Sequence, residues 1–213
     1  MTEATVRQIF DDRLQTEAGV RIVNQLEVED SPELRRNIDT PGKQEITLLV
    51  VALGARNKNA MRQLLAMGAN PNQRSSKGES PVALSAGADD VDFVRILMAA
   101  GGNPNLRNTR QEPVTFTAVS QRRWPNLAVL LENGADMNAT DAGGNTILHD
   151  CAQLGEFGPI PAMIDRGANF LKTNQNGVTL GDLVMRSRVN PASPQGVARE
   201  KVRELLRARG GLR

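Results

Sequence analysis

The sequence contains little of what most enzymes and metal proteins depend on. It has one histidine, one cysteine, one tryptophan, five phenylalanines and no tyrosine among 213 residues. One cysteine allows neither an internal disulfide nor a multi-cysteine metal site, and one histidine excludes nearly every zinc centre and histidine-based catalytic set. The scarcity of aromatic rings argues against an RNA-stacking sheet or a carbohydrate platform. A core must therefore be built from Leu, Val, Ile, Met and Ala.

Sequence motifs for phosphate and cofactor binding are also missing. There is no glycine-rich loop followed by Lys-Ser/Thr, no dinucleotide fingerprint, and no pair of carboxylates that stands out from the general scatter. We therefore expect no catalytic residue, no metal and no cofactor. The enzyme alternative predicts turnover that would be lost in His149→Ala.

Long hydrophobic runs and a body-wide basic charge are absent too. No stretch of about 18 apolar residues occurs, so we expect no membrane span. The net charge of +2 divides into −3 over residues 1–36, −1 over residues 37–171 and +6 over residues 172–213. Because the basic excess is confined to the tail, nucleic acid is not an expected partner. The first residues do not resemble an export signal, so we expect a cytoplasmic location for the chain as written, and a periplasmic one if a signal was trimmed.

The strongest positive feature is a repeat with a period of 33 residues. Glycine-led turns recur at this interval, each preceded by an apolar pair such as Leu130-Leu131, of which we expect Leu131 to lie on the packed face. Ser or Thr suits the start of a helix and Gly suits the left-handed residue that ends one. The glycines are Gly68, Gly101, Gly134 and Gly167. The helix starts are Thr47, Ser80, Pro113, Thr146 and Thr179.

The pattern resembles the ankyrin repeat, most clearly at residues 141–152, which contain Thr146-Ile147-Leu148-His149. The resemblance covers about residues 37–185. It implies an all-α solenoid of about five stacked helix-turn-helix units with β-turn fingers and helical caps. The implied organisation is a single domain over residues 1–213. Its parts are a helical N-terminal cap at 1–39, repeats at 40–72, 73–105, 106–138 and 139–171, and a C-terminal cap repeat at 172–213.

Several positions depart from the family pattern. Glu45 in repeat one and Gln111 in repeat three replace the usual finger glycine, so we expect these two fingers to be less regular. Repeat three also has Pro113 at the capping site. Repeat four has Pro159 and Pro161 near the start of its second helix, where proline is tolerated only in the first turn.

His149 and Cys151 are the two side chains that invite a chemical interpretation. The resemblance implies that His149 ties the finger backbone to the helix by hydrogen bonds. No carboxylate and nucleophile accompany it, so we interpret it as structural. Nothing basic lies near Cys151 in the sequence to activate it, and we expect a buried, inert thiol.

The resemblance implies that a protein partner meets the finger tips and the exposed positions of the first helices. These positions are polar and mixed in sign, which fits a protein surface better than an apolar ligand pocket. We expect this site in the middle of the concave side, where Arg122 and Trp124 add residue types that carry interface energy. The candidate residues are Lys43, Gln44, Ser76, Lys77, Glu79, Thr109, Arg110, Glu112, Gln121, Arg122, Trp124, Asn145 and Gln153, with Gln175 at the last finger.

Two of these features have alternative interpretations. Trp124 either anchors a partner or fills the hydrophobic position of the turn between the helices. The arginines of the last helix either bind an acidic partner or a lipid head group, or form the solvated face of an end helix.

A narrower resemblance involves most of the chain. The run Ile46–Ala52, and a weak final repeat followed by a proline-containing loop and a basic closing helix, are similar to small bacterial ankyrin proteins encoded beside type VI secretion lipase effectors. This resemblance implies an immunity protein that binds and neutralises a lipase. The alternative is a general scaffold or adaptor with a different protein partner.

Overall fold

The computed structural model describes residue 39, residues 47–75 and residues 78–212. Within that part of the chain the secondary structure consists of ten α-helices and no strand, with one isolated β-bridge between Arg107 and Pro113. Apart from Asp39, the predicted N-terminal cap lies outside the described residues, as does Glu45 with its predicted irregular finger.

The helices form five consecutive antiparallel pairs. The first helices are α1 (Leu48–Gly54), α3 (Pro81–Ala86), α5 (Val114–Ser120), α7 (Ile147–Gln153) and α9 (Leu180–Arg186). The second helices are α2 (Lys58–Ala66), α4 (Asp92–Ala99), α6 (Trp124–Glu132), α8 (Ile160–Asp165) and α10 (Pro194–Ala208). Each first helix packs against the next first helix, so the pairs stack in a single row. The predicted all-α solenoid is confirmed.

Hydroxyl side chains start most of the first helices, as predicted. The hydroxyls of Thr47, Ser80 and Thr179 each accept a hydrogen bond from the backbone N–H three residues later, which satisfies a donor that the helix itself leaves unpaired. Thr146 starts α7 together with His149. Pro113 makes no capping bond at the start of α5.

Left-handed glycines end the second helices. Gly68, Gly101, Gly134 and Gly167 have φ angles of 101°, 84°, 88° and 97°. A side chain would be strained in this conformation, so the period of 33 residues in the glycines reflects a turn that recurs after each second helix.

The core is a continuous layer of aliphatic side chains between the first and second helices. Leu130 on α6 is 0% exposed, whereas Leu131 is half-buried. Our expectation that Leu131 occupies the packed face was therefore wrong by one residue. Adjacent positions on a helix point about 100° apart, so only one member of an apolar pair can face the core directly.

The prolines near the C-terminal end lie at helix starts. α8 has Pro159 at its N-cap and Pro161 in its first turn, and it is only six residues long. Pro194, which we expected in a loop, is the first residue of α10. Proline is compatible with these positions because the first-turn N–H groups have no partner inside the helix.

Candidate protein-binding surface

The fingers are tight turns that an Asn or Asp side chain holds closed. The Oδ1 atom of Asp141 accepts from Gly143 N and Asn145 N, both at 2.8 Å. Asn108 and Asn174 make the same pair of bonds in their own fingers at 2.9–3.0 Å. An amide or carboxylate oxygen in this position replaces strand pairing as the source of order in the turn.

Finger three is as regular as its neighbours, contrary to our expectation. Gln111 occupies the tip position with φ 62°, close to the 77° of Gly144 and the 71° of Gly177. Its N–H donates to Asn108 O at 3.0 Å, as that of Gly144 donates to Asp141 O at 3.2 Å. The turn therefore imposes its left-handed conformation on a residue that ordinarily avoids it.

A row of side-chain hydrogen bonds joins successive repeats at the base of the fingers. In each case an Asn or Asp oxygen accepts from the backbone N–H of the residue 31 positions later, at 2.7–2.8 Å. The acceptors are Asp39, Asn72, Asn105 and Asn138. We interpreted these residues as local turn formers, but their own spacing of 33 was a signal for contact between repeats.

Basic side chains add a second set of links between the fingers. Arg74 Nη2 donates to Arg107 O at 2.7 Å, and Arg107 Nη1 donates to Thr140 O at 3.0 Å. Lys172 Nζ donates to Asn138 O at 2.8 Å. These cations therefore stabilise the row of fingers, which becomes a rigid support for the exposed side chains at the tips.

Finger three carries the best-defined group of predicted binding residues. Arg110 is exposed and forms an ion pair with Glu112 at 2.8 Å. Glu112 also accepts from Asn108 Nδ2 at 2.9 Å, and Thr109 is exposed beside them. The guanidinium of Arg110 is thus held in place by its own finger.

The structure divides the predicted site into two groups. Gln121 and Arg122 follow the C-terminal end of α5, whereas Arg110 precedes its N-terminal end. A seven-residue helix separates them by about 10 Å. Arg122 Nε contacts Glu156 Oε1 of the next repeat at 2.5 Å, which gives its charge a partner within the chain. We call the two groups the finger face and the turn edge.

Trp124 starts α6 on the turn edge. It is partly buried and packs against the hydrophobic core. This contact supports the packing interpretation of Trp124 while leaving part of the ring accessible.

The remaining predicted residues fall into three groups. Asn145 lies on the finger face, where its Oδ1 accepts from Asn174 Nδ2 at 2.8 Å, and Gln153 is exposed at the end of α7. Gln175, which is also exposed, donates to Ala142 O at 2.7 Å, and Glu79 is half-buried. Lys43, Gln44, Ser76 and Lys77 lie outside the described residues.

The buried pair His149 and Cys151 has the structural character that we predicted. His149 Nδ1 accepts from Thr146 N at 3.2 Å, and its Nε2 lies 3.0 Å from Val178 O of the next finger. Burial lowers the pKa of His149, which favours the neutral ring. Burial raises the pKa of the Cys151 thiol, so the nucleophilic thiolate is disfavoured.

Asp150 is a functional candidate that our sequence reasoning missed. Burial, together with the negative charges of Glu112 and Asp141, raises its pKa to about 6. Its half-buried carboxylate lies on the first helix between fingers three and four. The finger face is therefore locally acidic despite the net positive charge of the chain.

Most arginines of α10 have partners within the chain. Arg199 and Arg203 each lie 2.8 Å from a Glu200 oxygen, and Arg209 lies 2.8 Å from Asp165 of α8. These pairs tie the last helix to itself and to the preceding repeat. They support a structural role for part of the basic tail.

Searches for other kinds of site return nothing in residues 39, 47–75 and 78–212. These residues contain no group of three or more His, Cys, Asp or Glu side chains able to hold a metal ion. None of the helices there combines the length and hydrophobicity that a membrane span requires.

Comparison with known proteins identifies the repeats. Residues 48–141 match the family model for ankyrin repeats (3 copies). A human protein named SH3 and multiple ankyrin repeat domains protein 2 is 30% identical over 155 residues, which is 67% of this chain and 8% of that protein. The chain thus spans less than a tenth of the length of that relative.

Proposed function

Because the chain contains ankyrin repeats, a fold that generally serves protein–protein interaction, we propose that it is a non-enzymatic protein that binds a protein partner on its finger face. The supporting observation is the rigid row of fingers. Hydrogen bonds between repeats fix the backbone, so the exposed tip residues lose little conformational entropy on binding.

The chemistry of the finger face indicates the kind of contact. Asp150, Glu112 and Asp141 make its centre acidic, while Arg110 supplies one exposed cation at the rim. A partner with a basic side chain opposite Asp150 and an acidic one opposite Arg110 would match both charges. Such complementarity favours correct orientation and rapid association.

For the identity of the partner we propose a secreted lipase of a bacterial type VI secretion system, which the protein would neutralise as an immunity factor. This finer proposal rests on the resemblance of the sequence to small ankyrin immunity proteins. The location that accompanies it is the cytoplasm for the chain as written, or the periplasm if an export signal was trimmed. The alternative is a general adaptor with a different protein partner.

The test begins with capture of the partner from the source organism and continues with the purified pair. Arg110→Glu should weaken binding by roughly 2 kcal/mol in calorimetric titration, because it places a third negative charge beside Glu112 and opposite an acidic partner group. Arg122→Glu is the matched variant on the turn edge. Arg203→Ser with Arg207→Ser controls for the basic tail.

The outcomes separate the two levels of the proposal. Loss of binding in Arg110→Glu with normal binding in the other variants supports the finger face, and the opposite result places the site elsewhere. If the captured protein is a lipase whose activity stops on addition of this protein, the immunity role is supported. A captured partner without lipase activity favours the adaptor.

A further inference from the structure

The last repeat leaves an open groove of about 520 Å³ at the end of the stack. Its lining includes Leu171, Gly177, Met185 and Arg186, and the C-terminal segment Gly210–Leu212 forms part of its wall. The carbonyl oxygen of Gly211 lies where a side chain on Gly181 would stand, so the segment packs closely on the start of α9.

The equivalent groove one repeat earlier is a binding socket that is already occupied. It lies 33 residues before the open one and holds finger five: Asn138 Oδ1 accepts from Asn169 N at 2.7 Å. Gly143 O accepts from Gln175 N at 2.9 Å. The open groove is therefore the continuation of the interface that holds the repeats together.

Two substitutions make the open groove apolar where the occupied socket is polar or small. Leu171 stands at the position of Asn138, and Met185 stands at the position of Ala152. These side chains are 55% and 59% exposed, among the few large hydrophobic residues that are exposed in the described chain. The end of a solenoid that faces water is normally polar, so these two residues indicate a surface that another molecule covers.

The charges on α9 indicate what covers it. Asp182 and Arg186 are four residues apart, lie on the same side of the helix and both line the groove. Two copies of this surface related by a twofold axis, with their α9 helices antiparallel, bring Asp182 of each towards Arg186 of the other. The apolar residues then cover each other, which is the self-complementarity that a twofold interface requires.

We propose that this groove is a homodimer interface, in which a second copy of the chain packs its fifth repeat against the first. The interface is separate from the finger face and does not depend on the proposed function. The groove is small compared with standard interfaces, so the dimer is weak and forms in a concentration-dependent way.

The test is sedimentation of the full chain over a range of micromolar concentrations. The wild-type mass should rise towards that of a dimer. Leu171→Asn with Met185→Ser should raise the dissociation constant at least tenfold, since each change occurs twice in a twofold interface. Arg186→Glu should weaken the dimer in the same direction by repulsion from Asp182.

Val197→Ser is the matched control. Val197 is 50% exposed on α10 of the same repeat but does not line the groove. Its variant should dimerise normally, and circular dichroism with thermal melting should show that all variants are folded. A monomeric wild type overturns the proposal and leaves the groove to a segment of another protein. A dimer that survives the Leu171 and Met185 changes also overturns it, because the interface must then lie elsewhere.

Discussion

Repeats three and four have the same backbone but different local chemistry. In repeat four, Thr146 and His149 start the first helix together and His149 reaches the next finger. In repeat three, Pro113 and Phe116 occupy the same positions and provide no capping bond. The fingers of both repeats nevertheless close with the same hydrogen bonds.

The comparison shows that neighbours in the stack can replace missing local signals. Repeat three even contains Thr115, whose buried hydroxyl finds no hydrogen-bond partner among the described residues, where repeat four has Leu148. Its helices form because they are packed between well-formed repeats on both sides. In a solenoid, interfaces between adjacent repeats supply stability that a single repeat lacks.

The largest expected effect concerns the core that both repeats share. Leu130→Asp in repeat three should destabilise the protein by about 4 kcal/mol, because it buries an unpaired charge. Its counterpart Met163→Asp in repeat four should have a similar effect, as that side chain is also buried. Denaturant unfolding of both variants measures the comparison.

Leu131→Asp is the control for this assignment of the buried face. It lies on the same helix but is only half-buried, so its charge retains contact with water. A larger loss of stability in this variant than in Leu130→Asp would show that the helix is rotated relative to our description.

His149→Phe gives repeat four the residue that repeat three has at this position. The change removes the bonds to Thr146 and Val178 and should cost about 2 kcal/mol. Because the pKa of His149 is lowered in the folded state, the unfolded state binds the proton more readily. Wild-type stability from this residue is therefore lost as the pH falls below about 6.5.

Unfolding experiments at several pH values test this expectation. The stability difference between wild type and His149→Phe should shrink on acidification. A difference that does not change with pH would mean that His149 acts only through its shape.

Asp150→Asn removes a charge that repeat three lacks, since Thr117 is the counterpart there. The pKa of Asp150 is raised to about 6, so the folded state holds its proton more tightly than the unfolded state. Folding is thus penalised at neutral pH, and the penalty disappears as the pH falls towards the ordinary value near 4. We expect the variant to be more stable by about 1 kcal/mol at pH 7, after allowing for solvent screening, and equal to wild type at low pH.

The smallest effect concerns the finger tips. Gln111→Gly should stabilise repeat three by about 0.5 kcal/mol, because relief of the left-handed strain outweighs the added freedom of the unfolded chain. The opposite change, Gly144→Ala, should destabilise repeat four, since its Cβ would lie 3.0 Å from Gln175 N. Thermal melting of both variants decides whether the two tips are equivalent, and a gain in Gly144→Ala would show that they are not.

The period, the helix starts and the helix ends could be predicted because they depend on neighbours in the sequence. Ser80 and Thr179 bond to N–H groups three residues away, and Gly134 adopts a conformation that its own lack of a side chain permits. The partner of Arg122 could not be predicted in this way. Its ion pair with Glu156 crosses from one repeat to the next and depends on how the repeats stack.

The candidate site was predicted only in part for the same reason. Residue types identified Arg110 and Trp124 as suitable for an interface, but not that α5 places them at opposite edges. Asp150 was missed because its raised pKa arises from burial and from charges on two other segments of the chain.

The sequence by itself determined the repeat, its length and the residues that start and end each helix, because these properties rest on contacts within one turn. Only the tertiary structure decided which member of the pair Leu130-Leu131 is buried and how Asn138 links two fingers. It also decided that Leu171 and Met185 share an open groove. These features depend on the distance and angle between adjacent repeats, which residues 33 positions apart establish only when they are packed together.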